Sequence, residues 1–114
     1  MQENAVLLMT TDTLGAGDEA LGKKLMSSYL YTLTQCEDVP GTIILMNAGV
    51  NLAVEGSLVL EDLKHLAGNG VTIMACGTCL DYYGLKEKLG VGEVGNMQKS
   101  AELMNRGDKV ITLG

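Results

Sequence analysis

The sequence predicts an α/β fold, a parallel sheet with helices on both faces, in a single domain. Three observations predict it. Apolar runs recur without polar alternation, in Ala5–Thr10 (AVLLMT), Thr42–Met46 (TIILM) and Val71–Ala75 (VTIMA), and such runs read as strands buried on both faces. Helical patterns separate them. The links between them are short, so the order βαβαβ(α)βαβ threads a parallel sheet through crossover helices.

The elements follow in order. Ala5–Thr10 is the first strand, and Thr11–Asp18 (TDTLGAGD) is a turn-rich loop. Asp18 is a good N-cap for a helix from Glu19 to about Leu33. Leu21, Leu25, Tyr29 and Leu33 would form its buried stripe, with Lys23, Lys24 and Ser27 facing water. The loop has neither Walker spacing with its lysine nor a G-x-G-x-x-G pattern, so a tight βα turn is the favoured reading. Pro40-Gly41 is a break before the strand Thr42–Met46, which runs into the loop Asn47–Asn51. Ser57 would cap a helix to about Ala67, with Leu60, Leu63 and Leu66 inward and Gly68 and Gly70 as stop signals. Val71–Ala75 then delivers Cys76. Leu80–Tyr83 and Leu85–Leu89 are short helical pieces, and Val91–Gly95 is a short edge strand weakened by two glycines. Asn96 would cap Met97–Arg106, with Met97, Ala101 and Met104 inward and Gly107 as the C′ residue; Lys109–Leu113 is the last strand.

Composition narrows the function classes. The chain has 114 residues, enough for one domain with a real core, and 46% of them are apolar, which excludes disorder. A net charge of −6 argues against nucleic acid as the main partner. No apolar run has the length of a membrane span, and residues 1–4 carry no basic region of a secretory signal. Three cysteines, an odd number, then fit a reducing cytoplasm and a reactive thiol better than a disulfide-stapled domain.

The chemistry concentrates at Cys76-Gly77-Thr78-Cys79. Cys76 ends a buried strand, at the sheet edge where open α/β sheets place their ligands. The turn after it aims backbone N–H groups and a helix start at the thiol, an arrangement that lowers a thiol pKa. A metal is disfavoured, because three cysteines and one histidine lack zinc-site spacing, and His65 falls on the polar side of its helix. A hydrolase is disfavoured because no nucleophile elbow is present. Thiol chemistry remains, in two forms: a thioredoxin-like pair, or a carrier in which Cys76 holds a sulfane sulfur as a persulfide. Both cysteines could instead be core residues, a reading weaker for Cys76 than for Cys36. No cofactor is called for.

Cys76–Gly92, reading CGTCLDYYGLKEKLGVG, resembles the signature of the sulfurtransferase-like, selenium-metabolism YedF proteins, a branch of the DsrE/DsrF-like superfamily. Thr11–Asp18, Asn47–Ser57 and the closing KVITL are similar to that branch too, so the resemblance spans nearly the whole chain. It implies a three-layer α/β/α, flavodoxin-like (DsrEFH-like) fold of about five mostly parallel strands, found as homo-oligomers. It also implies a persulfide on the cysteine that ends the third strand, which Cys76 matches. YedF proteins usually carry an N-terminal SirA/TusA-like domain with a Cys-Pro-x-Pro motif. Residues 1–114 hold no such segment, so a TusA/SirA-like carrier is the expected partner.

The reading is thus a sulfur or selenium carrier with Cys76 as acceptor and Cys79 as second thiol. Gly77 and Thr78 would form the turn around the substrate, and Thr11, Asp12, Asn47 and Gly49 would line the pocket from the two neighbouring loops. The alternatives are a non-catalytic docking or redox-sensing module and a dithiol oxidoreductase, each using the same cysteine pair.

Overall fold

In the computed structural model, which describes residues 1–114, the three unalternating apolar runs become the three interior strands of a five-stranded sheet. These are β1 (Gln2–Met9), β2 (Pro40–Leu45) and β3 (Thr72–Cys76), flanked by β4 (Glu93–Gly95) and β5 (Lys109–Leu113). The spatial order is β4-β3-β2-β1-β5 and every pairing is parallel. Helices α1 (Glu19–Gln35), α2 (Leu60–Gly68), α3 (Gly77–Tyr82) and α4 (Met97–Arg106) connect them, with 3₁₀ segments at Asn47–Ala53 and Lys86–Lys88. The α/β class and the five parallel strands agree with the sequence reading.

The chain steps in one direction from β1 to β4, then returns past β1 to place β5. Right-handed crossovers therefore put α1, α2 and α3 on one face and α4 on the other. Leu7, Met9, Ile43, Leu45, Ile73 and Ala75 share one cluster with Met26, Leu30 and Leu33 of α1 and Leu63 and Leu66 of α2. The alternate side chains Val6, Ile44 and Met74 are buried on the opposite face, which α4 covers with Ser100 buried against it.

Several element boundaries and faces differ from the sequence reading. β1 begins at Gln2, because the Gln2 N–H reaches the Val39 carbonyl at 2.9 Å and extends the ladder through polar residues. Pro40-Gly41 opens β2 instead of breaking the chain before it; a proline is tolerated at a first strand position. In α1 the buried set is Gly22, Met26, Leu30 and Leu33, while Leu21 and Leu25 are exposed. Ser57 does not cap α2 itself: its Oγ accepts the Val59 N–H at 3.2 Å in the turn ahead of the helix. Met97 is exposed, and Gly107 ends α4 in an extended conformation, without the left-handed φ of a C′ glycine. Its lack of a side chain serves packing, since a Cβ there would lie 3.1 Å from the Asn4 carbonyl oxygen.

Candidate dithiol site

β3 carries its apolar run to the carboxyl edge of the sheet, and Cys76 is its last residue. Gly77 starts α3 at once, because the backbone there runs beside β4: a Cβ on Gly77 would stand 3.1 Å from a Val94 methyl and 3.2 Å from the Gly95 oxygen. The first turn of α3 then brings Cys79 back over the strand end. Cys76 and Cys79 approach to 3.0 Å, in hydrogen-bond contact, and no cysteine of the chain is in a disulfide.

The two thiols sit in different surroundings. Cys76 keeps 9% of its surface and joins the core cluster; Cys79 is half-buried and is the more open of the pair. Cys36 is exposed, so the core reading applies to Cys76 and not to Cys36, the reverse of the sequence expectation. Burial pushes the Cys79 thiol above its ordinary value, and its hydrogen bond to Cys76 pushes the same way. The Asn47 backbone N–H, 3.1 Å from the Cys79 sulfur, pulls partly in the other direction.

Asn47 reaches this position from the end of β2, where the chain turns into the 3₁₀ segment Asn47–Ala53. Its φ of 51° lies in the left-handed region, which asparagine tolerates better than most side chains. The Asn47 side-chain oxygen accepts the Tyr83 hydroxyl at 2.6 Å. Tyr83 is absent from the sequence-derived set, although its spacing of four residues from Cys79 places both on one helical face.

A family model described as the DsrE/DsrF-like family matches residues 11–113 of this sequence. The chain belongs to the DsrE/DsrF-like family. Solved structures agree in fold. The YchN protein from E. coli is 20% identical with a TM-score of 0.66, over 99% of this chain and 100% of that one. MTH1491 from Methanobacterium thermoautotrophicum, a protein of unknown function, is 24% identical with a TM-score of 0.67, over 95% and 96% of the two chains. BT1422 from Bacteroides thetaiotaomicron, also of unknown function, is 19% identical with a TM-score of 0.64, over 96% and 95%. No curated protein matches the chain.

In this DsrE/DsrF-like chain the predicted site residues divide into two groups. Asn47, Gly77 and Thr78 surround the cysteines, with Thr78 exposed on α3. Thr11, Asp12 and Gly49 lie towards β1. The Thr11 hydroxyl is engaged within its own loop, 3.2 Å from the Thr13 hydroxyl. Asp12 accepts the Asn51 side-chain amide at 3.3 Å beside a separate cavity of about 170 Å³, lined also by Lys23, Ser27 and Ser57. Gly49 is pressed against the Met9 carbonyl and carries the 3₁₀ segment across the end of β1. The strand order reverses between β1 and β5, where open sheets commonly bind ligands. There Thr10, just past β1, hydrogen-bonds the carbonyls of Leu113 and Gly114 at the end of β5. His65 stands exposed on α2, 3.2 Å from the Asn69 amide. No helix is long and apolar enough to cross a membrane.

Proposed function

We propose that this chain carries a sulfane sulfur, or its selenium counterpart, on Cys76 and relays it to or from a partner of the TusA/SirA type. The DsrE/DsrF-like family is associated with sulfur relay in general, and the observation that supports the specific reading is the pair of contacting thiols at the carboxyl edge of β3. The transfer is a displacement. The Cys76 thiolate attacks the outer sulfur of a donor persulfide; a new S–S bond forms on Cys76, the donor's S–S bond breaks, and the donor leaves as a thiolate that takes up a proton. Delivery is the same step run towards an acceptor thiol. No net oxidation occurs in either direction.

Incubation with a persulfide donor followed by intact-mass measurement tests this reading. Wild type and Cys79→Ser should each gain the mass of one sulfur that a thiol reductant removes, and Cys76→Ser should gain none. A selenium donor run in parallel separates the two elements, and adding a TusA-like carrier shows whether the label moves between chains. The 3.0 Å approach of the thiols favours one second reading, a dithiol–disulfide module. A wild-type chain that loses two hydrogens to form a Cys76–Cys79 bridge, while Cys79→Ser also gains no sulfur, would establish that module and sink the carrier.

A further inference from the structure

We infer that Asn47 and Tyr83 form a clasp that positions Cys79, their side-chain hydrogen bond holding the Asn47 N–H on the Cys79 sulfur. Three contacts close a ring. The Tyr83 N–H donates to the Cys79 carbonyl at 3.1 Å, which fixes Tyr83 one helical turn beyond Cys79. The Tyr83 hydroxyl donates to the Asn47 side-chain oxygen at 2.6 Å. The Asn47 N–H donates to the Cys79 sulfur at 3.1 Å. The left-handed φ of 51° belongs to this same residue, the one non-glycine in the chain with a positive φ. A side-chain anchor across to α3 gives that conformation a reason, since the tyrosine bond holds the loop in place while its amide points at the thiol.

The role of the clasp rests on the carrier reading; its existence does not. With a persulfide on Cys76, a Cys79 thiolate can attack the Cys76 sulfur. A Cys76–Cys79 bond forms, the bond to the outer sulfur breaks, and hydrosulfide leaves with that electron pair. The outer sulfur is reduced, Cys79 is oxidised as it joins Cys76 in a disulfide while the Cys76 sulfur keeps its oxidation level, and the Cys79 proton goes to solvent. A dithiol reductant must then reset the pair. Burial and Cys76 both oppose ionisation of Cys79; the Asn47 N–H favours it most, and the backbone N–H of Cys79 itself adds a smaller pull the same way. The surrounding charges add little. The segment Asn47–Ala53 carries no titratable side chain, Asp81 of α3 is paired with Lys86 at 3.2 Å, and Glu93 of β4 faces Lys99 at 3.9 Å. Cys76 on β3 is the one neighbour whose charge Cys79 feels.

Site-resolved alkylation of the reduced full chain across pH tests the clasp, with exposed Cys36 as internal reference. Tyr83→Phe keeps the ring and its cover while deleting the hydroxyl; Asn47→Gly keeps the left-handed backbone while deleting the acceptor. Each should raise the Cys79 alkylation midpoint by about half a pH unit, slowing its modification roughly threefold near neutrality. The double variant should match the singles, because both remove one bond. An unchanged Cys79 profile in Tyr83→Phe, or shifts that add in the double variant, would overturn the clasp. Alkylation needs no sulfur donor, so this result stands apart from sulfur loading on Cys76: a failed carrier can still show the clasp, and a working carrier can lack it.

Discussion

A methyl group at Gly49 would collide with the carbonyl oxygen of Met9, the same oxygen that accepts the Met46 N–H at 3.0 Å. The contact is between backbones, so no side chain can swing aside to relieve it. Gly49→Ala should therefore lower stability by roughly 1–3 kcal/mol, read as a fall in the denaturation midpoint. It should also disturb Cys79, because the displaced segment begins with Asn47. A variant of normal stability and normal thiol reactivity would show that this crossing is looser than its geometry implies. The residues of the site differ in how far sequence reveals them. Cys76, Cys79 and Gly77 announce themselves by type and spacing. Tyr83 does not, since an exposed tyrosine in a short helix reads as surface until the loop it touches is placed.

At the scale of elements, α1 shows how a face is misread. Leu21, Leu25, Tyr29 and Leu33 are strongly apolar, but a strict spacing of four drifts about 40° per step at 100° per residue, some 120° over the set. Gly22, Met26 and Leu30 drift the same way, but the step of three to Leu33 turns back about 60°, so the four stay within an arc of about 80°, and these are the buried residues. The glycine is the deciding member. A Cβ at Gly22 would lie 2.8 Å from the Thr13 Cβ, and its carbonyl accepts the Leu14 N–H at 2.9 Å. The helix starts close against the preceding loop, and only a missing side chain permits it. Caps were easier to read: Asp18 accepts the Leu21 N–H and Asn96 the Lys99 N–H, both at 2.8 Å. Because α4 covers one face of the sheet, its cap matters to the whole domain. Asn96→Ala should remove about 1 kcal/mol in chemical denaturation; a loss near zero would mean that packing alone fixes the start of α4.

The whole molecule has an alkaline limit built into two partly buried acids. Tyr29, on α1, is raised above its ordinary value by burial first and by nearby Cys36 second, and Cys79 is raised by burial and by Cys76. For an acid whose native value is raised, the folded state holds its proton longer than the unfolded state. The associated stability is complete below the unfolded value and is lost as pH climbs from that value through the native one. The windows open near 9.0 for Cys79 and 10.0 for Tyr29, the Cys79 window first. Denaturation midpoints taken between about pH 8 and 11 should hold level at first and then fall in two stages. Cys79→Ser should remove the earlier stage and Tyr29→Phe the later one. The parallel order of five strands was legible from unalternating runs and short links, but this linkage was not. It depends on how deeply α1 and α3 press their polar tips towards the sheet, which only packing decides. A decline that begins at the same pH in Cys79→Ser as in wild type would place the first loss elsewhere, and would mean that the dithiol site ionises without consequence for the fold.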